Sequence, residues 1–155
     1  SKFAVDAAAK RNKRITWLVA SGTRLPLFDA SQQTVFVLFT RLFVDDIARV
    51  LQPGGELIVV CTGETHLLPL REALYDDVRQ SGFDAGKFLD DRFELISSET
   101  LHCEWVPESE EELRNLLAMT PHHWRARPDA KAGIGALAGQ SMNGHFVIQR
   151  WRRVA

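Results

Sequence analysis

Three groups of residues in this 155-residue chain have types and spacings that could do chemistry. His66 stands a few residues beyond the apolar run Leu57-Ile58-Val59-Val60, past the expected end of a buried strand. A histidine there can donate a hydrogen bond to a carboxylate or backbone group of a ligand, or it can be an ordinary surface residue. The segment 20–29, ASGTRLPLFD, carries Ser21, Gly22 and Thr23, small residues that let a planar group approach the backbone and that offer two hydroxyls. It trails the first expected strand at its C-terminal end, where open α/β sheets bind ligands; a solvated loop is the plainer reading. The third group is MTPHHWRARP, residues 119–128, where His122, His123, Trp124, Arg125 and Arg127 crowd together. Arginines grip phosphates with a forked pair of donors, and an aromatic plane stacks on an unpaired base. Alternatively, the cations complement a helix C-terminus and Trp124 is core.

Several chemistries are excluded. His122 and His123 are adjacent and point apart, and no third ligand has suitable spacing, so no metal site is expected. There is no G-x-G-x-x-G and no P-loop; Gly133-Ile134-Gly135 has no strand leading into it. Ser–His–acid and Cys–His sets cannot be assembled.

The elements that must hold these groups alternate. A helix is expected over 1–11, with Ser1 as its N-cap and alanines behind it. Strands are expected over 14–20 (RITWLVA) and 34–39 (TVFVLF), with a loop over 21–33 between them. The segment IARVLQPGGELIVV, 47–60, reads as the end of an amphipathic helix over 42–51, a Pro53-Gly54-Gly55 turn and a strand over 56–61 without polar alternation, hence buried on both faces. A helix over 65–80 with Pro69 in its first turns, a flexible connection over 81–90 and a strand over 92–106 follow. Ser109 and Glu112 have capping-box spacing for a helix reaching Met119. A short helical stretch from Pro128 to near Gly139 and a strand over 145–154 complete the chain. About five strands alternating with helices predict one α/β domain over 1–155 with a largely parallel sheet.

Nineteen Lys and Arg against 20 Asp and Glu give no overall signal for nucleic acid or membrane. Basic patches remain open locally, because Arg125, Arg127, Arg150, Arg152 and Arg153 cluster while Glu108 and Glu110 to Glu112 form an acidic run. Cys61 and Cys103 exclude a disulfide framework and read as reduced, buried thiols. No apolar run spans a membrane and the N-terminus has no secretion signal, so a soluble cytoplasmic protein is expected.

Taken together, the segments resemble the 23S ribosomal RNA guanine-N1 methyltransferase family, of the RlmA and tylosin-resistance type, over nearly the whole chain. Met119-Thr120-Pro121 followed by Trp124-Arg125-Ala126-Arg127-Pro128 is the most specific portion. Ser1-Lys2, ASGTRLP, ARVLQPGG and His66-Leu67 before Leu70 support it in the family's order. The resemblance implies a Rossmann-like class I methyltransferase sheet, incomplete because the first two strands are missing, with an antiparallel C-terminal strand. It implies S-adenosylmethionine as cofactor and ribosomal RNA as partner. By the same token Ser21, Gly22, Thr23 and His66 match cofactor-side positions, and Trp124, Arg125 and Arg127 match a signature for RNA contact or support of the site.

The chain also departs from that family. It opens at the Ser-Lys pair, so the four-cysteine zinc module, the Gly-rich cofactor loop and the acidic ribose-binding residue are not in it. Gln33 replaces an acidic residue, Thr40-Arg41 replaces an Ala-Pro, and Thr62 and Pro69 replace a proline and a glutamate flanking the histidine. The expectations are weak cofactor binding and a sheet edge closed by self-association or rearrangement.

Overall fold

In the computed structural model, which describes residues 2–78 and 82–154, the apolar run at 57–60 lies inside a four-stranded mixed sheet. The strands are β1 (Gln32–Leu38), β2 (Leu51–Thr62), β3 (Phe93–Trp105) and β4 (Met142–Arg153), in the order β1-β2-β4-β3. β1 and β2 run parallel, with Phe36 opposite Ile58, and helix α2 (Val44–Val50) makes the crossover that parallel neighbours require. β4 inserts antiparallel to both β2 and β3, as the resemblance implies for the C-terminal strand. The incomplete class I sheet is therefore present, with less parallel pairing than alternation alone suggests.

Pro53, Gly54 and Gly55 leave the ladder rather than precede it. Gln32 pairs with Leu51 and Thr34 already pairs with Glu56, so residues 52–55 bulge out opposite Gln33 alone. Gly54 has φ of 78°, which only glycine adopts without strain, and a Cβ on Gly55 would lie 2.9 Å from the carbonyl oxygens of Gln33 and Gln52.

Two cores hold the elements. On one face of the sheet, Val37, Leu57, Val59 and Trp151 pack against Ile47 and Ala48 of α2 and against Ala85, which begins a 3-10 turn (Ala85–Lys87). The second core joins α3 (Leu68–Leu74), α4 (Glu110–Ala118), α6 (Pro128–Ala132) and a 3-10 segment (Gly133–Leu137) to the start of β4 through buried Leu70, Leu113, Ile134 and Met142. α4 is capped as its sequence predicts: Glu112 N–H donates to Ser109 Oγ at 3.2 Å, and Glu108 N–H donates to the Glu112 carboxylate at 2.9 Å.

Four expectations need correction. Residues 14–20 form no strand: Ile15, Leu18 and Val19 are exposed, and only Ser21 bridges to Arg24 nearby. A strand needs a neighbour for its backbone groups, and among the described residues none pairs with this segment. β2 is buried on one face only. On the other, Ile58 and Val60 are half-buried while Phe36 and Leu38 of β1 are 63% and 53% exposed. The helix over 65–80 shrinks to α3, because Leu67 takes a left-handed conformation before Pro69 and Tyr75 is already extended; Gln80, like Ser1 and Ser81, lies outside the described residues. Cys61 is buried but Cys103 is exposed, since β3 is open to solvent on both faces from Ser98 to Trp105. The helix over the N-terminal residues forms as α1 (Lys2–Arg11).

Candidate functional site

The C-terminal ends of β1 and β2 and the start of β4 meet at one edge of the sheet. There the segment 63–68 is stitched to β4: Gly63 N–H donates to His145 O at 2.8 Å and Leu67 N–H to Asn143 O at 2.9 Å. The Asn143 side chain takes a bond from Leu68 N–H at 3.1 Å and gives one to Thr65 O at 2.5 Å. Arg71 adds two donations, to Glu64 O at 2.8 Å and His66 O at 3.3 Å. These bonds explain why a loop between two elements carries a fixed histidine.

Two imidazoles are locked in this network. Thr65 N–H donates to His145 Nδ1 at 3.3 Å, with Thr65 Oγ1 2.8 Å from the same nitrogen. His145 N–H in turn donates to His66 Nδ1 at 3.3 Å. A nitrogen that accepts carries no proton, so each neutral ring bears its hydrogen on Nε2. Burial, followed by the charge of Arg71, holds the His66 pKa below its usual value, in keeping with a neutral ring. His66 lies 4.9 Å from the Phe146 ring, and Phe146 lies 5.6 Å from Phe39 in an edge contact.

Ser21, Gly22 and Thr23 come together on a different footing. Ser21 Oγ and Thr23 Oγ1 are 2.8 Å apart and share a hydrogen bond, and a Cβ on Gly22 would lie 2.3 Å from the Phe43 ring just before α2. The following residues are pinned to α2: Leu25 N–H donates to Asp46, and Arg49 donates to Asp46, Asp29 and the carbonyls of Leu25 and Leu27. This pairing pulls the Asp46 carboxyl below its usual pKa and raises the guanidinium of Arg49.

The third group lies on α5 (His122–Arg125) and beside it. Trp124 is 84% exposed, so it is not core, and it meets His123 edge-on at 4.8 Å. Arg125 and Arg127 line a cleft with Leu74, Tyr75 and Asp76, and Arg127 lies 3.6 Å from Asp76 and 3.7 Å from Asp129. Tyr75 OH lies 3.0 Å from His122 Nδ1, which ties α5 to the end of α3. No hydrogen bond or ring contact among the described residues joins the Ser21 loop, His66 and Trp124 into one constellation, and no group of three or more acidic, histidine or cysteine side chains there could hold a metal.

Phe39, Phe146, His145 and Thr65 belong to this edge and were not singled out by sequence reasoning. Their juxtaposition depends on β4 returning beside β2, a long-range register with no local signal.

A sheet ordered β1-β2-β4-β3, with one antiparallel strand between the parallel ones, defines the class: the chain carries part of the class I S-adenosylmethionine-dependent methyltransferase fold. A candidate methyltransferase of Bacillus halodurans C-125 superposes with a TM-score of 0.60 at 13% identity, over 100% of this chain and 80% of its own. A SAM-dependent methyltransferase of Methanosarcina mazei gives 0.54 at 15% identity, over 99% and 79%. At those identities the likeness is one of fold.

A closer likeness is to the 23S rRNA (guanine(748)-N(1))-methyltransferase of Streptomyces fradiae, 31% identical over 136 residues, 85% of this chain and 48% of that protein. The family resemblance seen in the motifs is thus borne out, and the chain spans about half the length of this relative. No protein-family model matches the chain.

The residues present do not enclose the cofactor that this fold implies. Ser21 Oγ and Thr23 Oγ1 share one hydrogen bond and Ser21 Oγ also accepts from Thr23 N–H, and Phe43 fills the space at Gly22. One cleft is lined by Arg24, Leu25, Pro26, Leu27, Phe28 and Arg49 and another by the residues around Arg127; neither contains Ser21, Gly22, Thr23 or His66.

Proposed function

We propose that this chain is the substrate-side portion of an S-adenosylmethionine-dependent methyltransferase that modifies N1 of a guanine in ribosomal RNA. The observation that carries this reading is the match to the Streptomyces fradiae relative, combined with the placement of His66 at the C-terminal edge of the sheet. In this reading Trp124, Arg125 and Arg127 contact RNA, His66 and the Ser21-Gly22-Thr23 loop line the site, and the protein works in the cytoplasm. The exposure of Trp124 and the open cleft beside Arg125 and Arg127 support the RNA role. No helix among the described residues is long and apolar enough to cross a membrane.

Positioning of the guanine, rather than chemistry done by side chains, would be the contribution of this part to rate. The test is a fusion of the chain to the part of the relative that the match leaves uncovered. Methylation at guanine N1 blocks Watson–Crick pairing, so reverse transcription of a ribosomal RNA hairpin should stop at one guanine. Read-through at every guanine, from a fusion that folds and binds S-adenosylmethionine, would reject the proposal.

A second reading has its own support: a non-catalytic, methyltransferase-like module for interaction, dimerisation or RNA binding. The outer edge of β1 has no partner strand among the described residues, and the face beside it exposes Phe36 and Leu38. Self-association through that edge predicts a dimer by analytical ultracentrifugation, weakened by Phe36→Lys; a monomer at all concentrations would remove dimerisation from this reading.

A further inference from the structure

One residue at the edge is held in a conformation its type disfavours. Phe39 has φ of 53°, an outlier for a bulky side chain, and its N–H donates to Val60 O at 2.9 Å. Such strain persists where the surroundings over-determine it, and it concentrates at binding sites. The ring gains little from burial in return, being 59% exposed and touching Phe146 only edge-on. The same Phe146 ring packs against His66 at 4.9 Å; the His66 Nδ1 is already an acceptor and its Nε2 proton has no acceptor among the described residues. The edge therefore presents an open aromatic plane and, against a second ring, a fixed neutral donor.

We propose that Phe39 and His66 form the receptor for a purine that carries a carbonyl at position 6, with the base stacked on Phe39 and its O6 accepting from His66 Nε2–H. This assignment rests on the RNA reading above and deepens it. Guanine presents O6 beside N1, whereas adenine presents an amino donor there, which would face the His66 N–H donor to donor. The same tautomer makes His66 unable to remove a proton through Nε2, so it positions the base and is not the general base.

The experiment is fluorescence anisotropy with four versions of one ribosomal RNA hairpin, whose loop base is guanine, inosine, 2-aminopurine or adenine. Phe39→Ala should weaken all four by about tenfold, the size of one lost base stack, and Phe39→Tyr should retain binding. His66→Phe keeps a ring against Phe146 and removes the donor. It should abolish the preference for guanine and inosine over 2-aminopurine and adenine, a preference of about fivefold for one neutral hydrogen bond. Phe39→Gly also relieves the positive φ, so it should fold at least as stably as the parent while binding like Phe39→Ala. Parent-like affinity and base preference in both Phe39→Ala and His66→Phe would overturn this assignment and leave the RNA reading standing. If the unaltered chain binds none of the hairpins, the RNA reading falls and the assignment with it.

Discussion

The backbone N–H of His145 points at Nδ1 of His66 from 3.3 Å, so a residue on β4 fixes the tautomer of a residue on the loop after β2. A protonated His66 would place two donors against each other there. Burial lowers the pKa of His66, with Arg71 adding to it, and burial does the same for His122, again with help from Arg71. Both groups bind fewer protons in the folded chain than in the unfolded one. Stability is therefore complete above the ordinary histidine pKa of about 6.5 and falls as pH drops below it. Thermal unfolding between pH 8 and pH 5 should show the decline, and His66→Gln, which keeps an acceptor but cannot titrate, should flatten part of it. A melting temperature that stays level or rises on acidification would contradict this.

Gly63 is required by the other imidazole. A Cβ at that position would lie 2.2 Å from His145 Nε2, so Gly63→Ala must push the ring off Thr65 and loosen the stitch between the loop and β4. Overpacking of this kind costs about 1–3 kcal/mol. Urea unfolding measures it, and a neutral substitution would mean that His145 has room to move.

The Arg49 side chain ties the loop 24–31 through Asp46, Asp29 and two carbonyls, beside the bonds from Leu25 N–H to Asp46 and from Ala30 and Ser31 N–H to the end of α2. Lysine has the charge but not the fork, so Arg49→Lys should release the loop as effectively as Arg49→Ala. Trypsin cleavage after Arg24 should accelerate in both variants with global stability little changed. Unchanged cleavage would show that Leu25 and its neighbours are held by packing instead.

Local chemistry made much of this fold readable. The strand at 57–60 and the capping pair Ser109 and Glu112 are set within a few residues of themselves, whereas Pro53 to Gly55, expected as a turn before the strand, form a bulge inside it. What was not legible is what depends on distant partners. Residues 14–20 have strand composition but, among the described residues, no neighbour to pair with, and Ile58 has core composition on a face left half open. The site followed the same division. His66 stood out because it follows a strand, whereas Phe39 and His145 join it only because β4 returns beside β2.

If this chain supplies the RNA-facing side of a methyltransferase and not the side that grips the cofactor, it should not bind S-adenosylmethionine tightly alone. Isothermal titration calorimetry of the chain with S-adenosylmethionine measures this directly. The expected result is heat indistinguishable from dilution, because Phe43 occupies the space at Gly22 and neither cleft described is lined by Ser21, Gly22, Thr23 or His66. Saturable binding at one cofactor per chain would contradict it.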